Sequence, residues 1–125
     1  MPYELTYRDN GFFLVHTGVV TVDEINEANG KILGSSHFDE HQFQLIDLLQ
    51  ADFSQVVKIS ARLTGSVDAV ASRNKRNVKL ALVVVDPDAL AFCEQYVDAA
   101  KRFESTWQFA IFPDMQAALE WVKAK

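Results

Sequence analysis

Leu80 to Val85 (LALVVV) is an unbroken run of six strongly apolar residues, and it constrains the fold more than any other segment. A membrane span needs about 20 such residues, so the run fits a strand buried on both faces instead. Val78 to Val85 is therefore read as a buried strand. Phe43 to Leu49 (FQLIDLL) is a second strand with few polar interruptions, expected at the centre of the sheet.

The remaining segments arrange themselves around these two. Tyr3 to Arg8 and Phe12 to Thr17 are β-rich runs separated by Asp9, Asn10 and Gly11, and Asn-Gly at such a junction signals a hairpin. Thr21 and Glu24 have the spacing of a capping box, in which each side chain satisfies a free amide of the other residue. A helix follows with Val22, Ile25, Ala28, Ile32 and Leu33 on its inner side, and Gly34 ends it. Ile59, Leu63, Val67 and Val70 give the stripe of a second helix, ended by the polar stretch 72–77. Asp86 before Pro87 caps a third, reaching about Phe103, with Ala89, Phe92, Cys93, Tyr96, Ala100 and Phe103 facing inward. Trp107 to Phe112 is the last strand, and Asp114 caps a terminal helix with Met115, Ala118, Leu119 and Val122 inside.

The order is β-β-α-β-α-β-α-β-α. Right-handed crossovers make the last four strands parallel and leave the first antiparallel at one side. The expectation is a single α/β domain over residues 1–125, a mixed, mostly parallel five-stranded sheet flanked by four helices. Its 49% hydrophobic and 23% charged residues are those of a globular chain, which argues against a disordered tail or a disulfide scaffold. A net charge of -5 repels phosphate backbones, so nucleic acid is not an expected partner. No segment is long enough for a membrane span, and charges at Glu4, Arg8 and Asp9 interrupt the opening residues where a signal peptide needs an apolar run. With Cys93 alone permitting no internal disulfide, a cytoplasmic location is expected.

Residues able to carry chemistry are scattered. His37 and His41 are spaced for one helix face but fall in the polar connection after Gly34, where solvated side chains are expected. His16 reads as a hydrogen-bonded strand residue and Cys93 as a buried small apolar one. Arg73, Lys75, Arg76 and Lys79 form the basic cluster, read as a solvated loop face that an acidic patch or phosphate could also engage. Trp107 and Trp121 could contribute to an exposed aromatic surface. No serine-nucleophile elbow, phosphate loop or dinucleotide fingerprint is present. The expectation is no enzyme, no cofactor and no metal. What remains is the loop after the central strand, with Asp47, Asp52, Ser54 and Ser60 as candidate residues. Ser54 is open to two readings, a cap for the second helix or an exposed, phosphorylatable serine.

In the opening hairpin (YELTYRDNGFFLVHTG), the capped helix, FQLIDL, VKLALVVV and the closing WQFAIFPDMQAALEWV, the chain resembles the SpoIIAA-like branch of the STAS superfamily, named after anti-sigma-factor antagonists. The resemblance covers nearly the whole chain. It implies action by non-covalent contact with regulatory proteins or, as in a related lipid-transfer group, with apolar ligands. The antagonists carry an Asp-Ser-x-Gly-like turn with a phosphorylatable serine. Here the region reads ADFSQVVKIS, with Ser54 as its approximate counterpart and no glycine. The expected function is a non-enzymatic interaction or regulatory module, contacting another protein through the face from Asp52 to Ser60 and a second copy through an edge strand, as a homodimer. The alternative is a binder of a small apolar or lipid-like ligand between sheet and helices, to which the nine phenylalanines could contribute if they do more than fill the core.

Overall fold

The computed structural model describes residues 3–56, 59–75 and 77–124. Its elements are β1 (Tyr3–Arg8), β2 (Gly11–Val19), α1 (Val22–Leu33), β3 (Phe43–Asp52), α2 (Ile59–Ala71), β4 (Lys79–Val83), α3 (Pro87–Arg102), β5 (Gln108–Phe112) and α4 (Met115–Lys123). The strands lie in one sheet in the order β1-β2-β3-β4-β5, which puts β3 at the centre as expected. β1 is antiparallel to β2, and every later pairing is parallel. No helix among the described residues is long and apolar enough to cross a membrane.

The opening turn differs from the Asn-Gly expectation. Asp9 and Asn10 are the two turn residues, with φ of 54° and 65°, and Gly11 already pairs with Arg8 inside the hairpin. Asp and Asn tolerate the left-handed region better than other side chains. Gly11 serves packing instead, since a Cβ there would lie 2.2 Å from Cζ of Phe43 on the neighbouring strand.

The sheet separates two cores. Leu14, Ile46, Leu80 and Leu82 face α1 to α3, while Phe13, Phe43, Leu45, Ala81 and Val83 face α4. Asp86 accepts the amides of Asp88 and Ala89 at the start of α3, and Asp114 accepts that of Ala117 at the start of α4. Lys79 was expected in a solvated basic face. At the start of β4 its Nζ instead donates to the carbonyls of Trp121 at 3.0 Å and Ala124 at 2.6 Å, neutralising the negative end of α4. Of the same cluster, Arg73 is exposed, Lys75 is half-buried and Arg76 lies outside the described residues.

β3 runs on past the expected end at Leu49 to Asp52, and it carries a bulge. Val15 pairs with Asp47 and Thr17 with Gln50, so Leu48 and Leu49 together oppose His16. The Asp47 carboxylate accepts the Leu49 amide at 3.0 Å within the bulge. The extra residue changes which side chains point inward: Gln44, Ile46 and Leu48 are buried before it, Ala51 and Phe53 after it. A regular strand would have turned Ala51 and Phe53 away from the α1–α3 core.

The largest departure concerns α2. Its expected inner stripe faces outward, with Leu63, Val67 and Val70 at 67%, 50% and 55% exposure. The side chain of Ile59, the first member of that stripe, lies outside the description. Ala61, Thr64, Gly65, Asp68 and Ala69 are the buried side of the helix. These small residues allow a close approach to α3: a Cβ on Gly65 would stand 2.6 Å from the Tyr96 carbonyl oxygen and 2.9 Å from Cβ of Ala99. Phe103, expected inside, ends α3 at 53% exposure.

Two glycine substitutions should therefore move stability in opposite directions. Gly65→Ala gains about 1 kcal/mol of helix propensity but must push α2 off the α3 backbone, at a cost of about 1–3 kcal/mol, and should lower the urea midpoint. Gly30→Ala, on the exposed side of α1 with no described atom within 4 Å of the added carbon, should raise the stability by about 1 kcal/mol and the midpoint with it.

Candidate functional site

The loop leaving β3 forms a tight turn. Asp52 Oδ1 accepts the Ser54 amide at 2.9 Å, and the Val56 amide reaches the Phe53 carbonyl at 3.0 Å. The Ser54 hydroxyl and amide lower the Asp52 pKa below its ordinary value. Ser54 is exposed and stands five residues ahead of Ile59, so this turn separates it from the start of α2. The helix-capping reading is therefore not met, because a cap residue adjoins the first helical residue. Ser60 lies half-buried in the first turn of α2, where its carbonyl accepts the Thr64 hydroxyl. The structure thus joins Asp52 to Ser54, leaves Ser60 on the helix, and engages Asp47 in the bulge. Val57 and Lys58, inside the expected face, lie outside the described residues. Beside Ser54 is a shallow groove of about 140 Å³ against Val56, Asp88 and Phe92.

Beneath this loop, between the sheet and α1 to α3, lies a cavity of about 50 Å³. Its apolar wall includes Leu14, Ile46, Leu80 and Phe92, and its polar wall includes His16, Gln44, Thr64, Asp68 and Tyr96. That volume holds roughly three to five waters. The Tyr96 hydroxyl donates to Asp68 Oδ2, and both residues are buried. Burial pushes the Asp68 carboxyl up to about 6, against the lowering effect of the Tyr96 hydrogen bond. His16 Nδ1 lies 2.5 Å from Glu24 Oε2, tying β2 to α1. Thr21 does accept the Glu24 amide at 3.2 Å, but the Glu24 carboxylate goes to His16, so only half of the expected capping box forms.

The sequence does not mark Asp68 and Thr64, because hydrophobicity alone puts the apolar stripe of α2 on the inside. The available signal was the small-residue spacing Ala61, Gly65, Ala69, which marks a helix face built for close approach. His41 also differs from expectation: it is fully buried, edge-on to Phe12 and Trp107, with Nδ1 against the Phe38 carbonyl at 2.5 Å. Burial lowers its pKa. His37 is exposed, stacked on Tyr7 and 2.5 Å from Glu40. Trp107 is buried rather than exposed, its indole N–H donating to the Lys75 carbonyl at 2.6 Å, while Trp121 is half-buried against Phe112. Cys93 is buried as expected, its thiol pushed up to about 12 first by burial and then by the charge of Glu94. Among the described residues, no three metal-binding side chains gather into a site.

The Asp68 carboxyl predicts a pH dependence. Its folded pKa of about 6 lies above the ordinary 3.8, so the folded chain holds the proton more tightly than the unfolded chain. This contribution is complete below about pH 3.8 and is lost as pH rises through about 6. Asp68→Asn removes the titration. Urea unfolding at pH 4 and pH 7 should show the parent losing about 2 kcal/mol more than the variant over that interval.

No protein-family model matches the chain, and no curated protein matches it. Among solved structures it is similar to an uncharacterized protein of the DUF3478 family with a SpoIIAA-like fold from Shewanella loihica PV-4. The identity is 14%, the match covers 96% of this chain and 91% of the other, and the TM-score is 0.54. A likeness at that identity speaks to architecture, and the architecture it identifies for this chain is the SpoIIAA-like fold.

Proposed function

We propose that the chain is a non-enzymatic regulatory module of the cytoplasm that works by contact with another protein. The observation that carries this reading is the outward apolar side of α2. Leu63, Val67 and Val70 are each at least half exposed, and Phe103 lies at the same groove as Val67 and Val70. Leu33 and Phe38 also line this shallow, mainly apolar depression of about 650 Å³, with Asp39, Ser66 and Asn74 as its polar part. Contiguous exposed apolar surface of this kind marks contact sites, whereas single exposed apolar residues do not. Along the chain it continues the candidate loop that holds Asp52 and Ser54. Phosphate on Ser54 would add about two negative charges beside Asp52 and at the groove that Asp88 also lines, changing the charge a partner meets there.

The buried polar groups favour contact over catalysis. An acid raised to about 6 in a cavity shared with His16 has the ingredients of acid–base chemistry. His16 is engaged with Glu24 and Asp68 with Tyr96, and a cavity of about 50 Å³ supports the contact reading over catalysis. The same volume bears on the second reading, a small apolar or lipid-like ligand between sheet and helices, because pockets for drug-sized ligands begin at about 300 Å³. A mass retained on the protein in native mass spectrometry would favour the ligand.

The contact reading is tested by Leu63→Ser, Val67→Ser and Val70→Ser combined. Exposed substitutions cost about 0.5 kcal/mol or less each, so the circular dichroism should match the parent. A protein captured by the parent should be lost by the triple variant, and equal capture by both would remove α2 from the contact.

A further inference from the structure

The sheet ends in two unpaired edges, β1 and β5, and of these two strands β1 alone carries charge. We propose that β1 pairs antiparallel with β1 of a second copy of this chain, about a two-fold axis at Thr6, joining two five-stranded sheets into one. This goes beyond the α2 contact, uses none of its residues, and stands or falls separately.

The hairpin determines which backbone groups are free. A two-residue turn closes on a hydrogen-bonded pair, here Arg8 with Gly11, and such pairs alternate along an antiparallel ladder. Thr6 opposite Phe13 and Glu4 opposite Val15 are then also bonded toward β2. The N–H and C=O groups of Tyr3, Leu5 and Tyr7 point away from the sheet. With the axis at Thr6, Leu5 faces Tyr7 of the second copy and each such pair exchanges two backbone hydrogen bonds, four in all.

The side chains select the same register. Glu4 comes opposite Arg8 of the second copy, and Arg8 opposite its Glu4, giving two pairs of opposite charge. Glu4 has no ion pair among the described residues. Arg8 has a 3.5 Å contact with its neighbour Asp9, with both side chains more than half exposed. Moving the axis to Leu5 sets Glu4 against Thr6 and leaves Arg8 beyond the ladder. An axis between two residues sets outward backbone groups against inward ones. The charges therefore favour one register over its neighbours, which suits a defined dimer rather than open-ended aggregation. β5 offers no such selection. The backbone groups of Phe109 and Ile111 point away from the sheet, since Gln108 and Phe112 bond toward β4, but QFAIF contains no charge to specify a register.

Sedimentation equilibrium should show a dimer for the parent. Glu4→Arg and Arg8→Glu should each weaken it by on the order of tenfold, because like charges then face each other twice. The double swap, Glu4→Arg with Arg8→Glu, should restore it. Thr6 and its symmetry mate form a non-hydrogen-bonded pair with Cα atoms about 4.5 Å apart, within disulfide range. Thr6→Cys should therefore give a covalent dimer on oxidation that thiol reductant releases, with Cys93 buried and uninvolved. A parent that is monomeric at millimolar concentration overturns the proposal. So does a double swap that stays dissociated, or a disulfide that forms through Ala110→Cys on β5 and not through Thr6→Cys.

Discussion

The close approach of α2 to α3 at Gly65 is the contact from which the most distinctive features of this molecule follow. With a Tyr96 carbonyl 2.6 Å from where a side chain would begin, no other residue fits there without moving a helix. That contact sets the rotation of α2 about its own axis. The rotation carries Asp68 inward to Tyr96 and turns Leu63, Val67 and Val70 toward solvent. The raised carboxyl pKa, the polar wall of the cavity and the exposed apolar face thus share one steric cause.

The element order, the parallel pairings, the central position of β3 and the caps at Asp86 and Asp114 were all legible in the sequence. Each depends on local chemistry or on hydrophobic periodicity, and neither is overruled by distant contacts here. The rotation of α2 was not legible, because two stripes repeat along it at helical spacing. One is apolar, Leu63 with Val67 and Val70, and the other is small, Ala61 with Gly65 and Ala69. Hydrophobicity favours burying the first, but backbone proximity favours the second, and only the position of α3 decides between them. The bulge opposite His16 escaped for a related reason: Asp47 reads as an ordinary polar interruption until its carboxylate is seen to accept the Leu49 amide.

The candidate site divides in the same way. Asp52 and Ser54 fall in one turn because the side chain of the first accepts the amide of the second, a local pattern open to sequence reading. The Asp68–Tyr96 bond joins residues 28 apart on different helices, and no spacing rule connects them. His41 shows the opposite failure. Polar neighbours suggested solvent exposure, yet a cage that includes Phe12 and Trp107 buries it completely. The shared architecture leaves these differences open, since a fold fixes where side chains can stand and not what they recognise.

The spatial order of the strands repeats their order along the chain. Each new strand can therefore add to the one before it after closing a single connection, so the entropy lost in loop closure is met in small steps rather than one large one. A sheet of this kind is suited to assembly from the hairpin outward, with β3 docking early and β5 last. Its refolding should be faster than that of an equally long domain in which distant strands must find each other first.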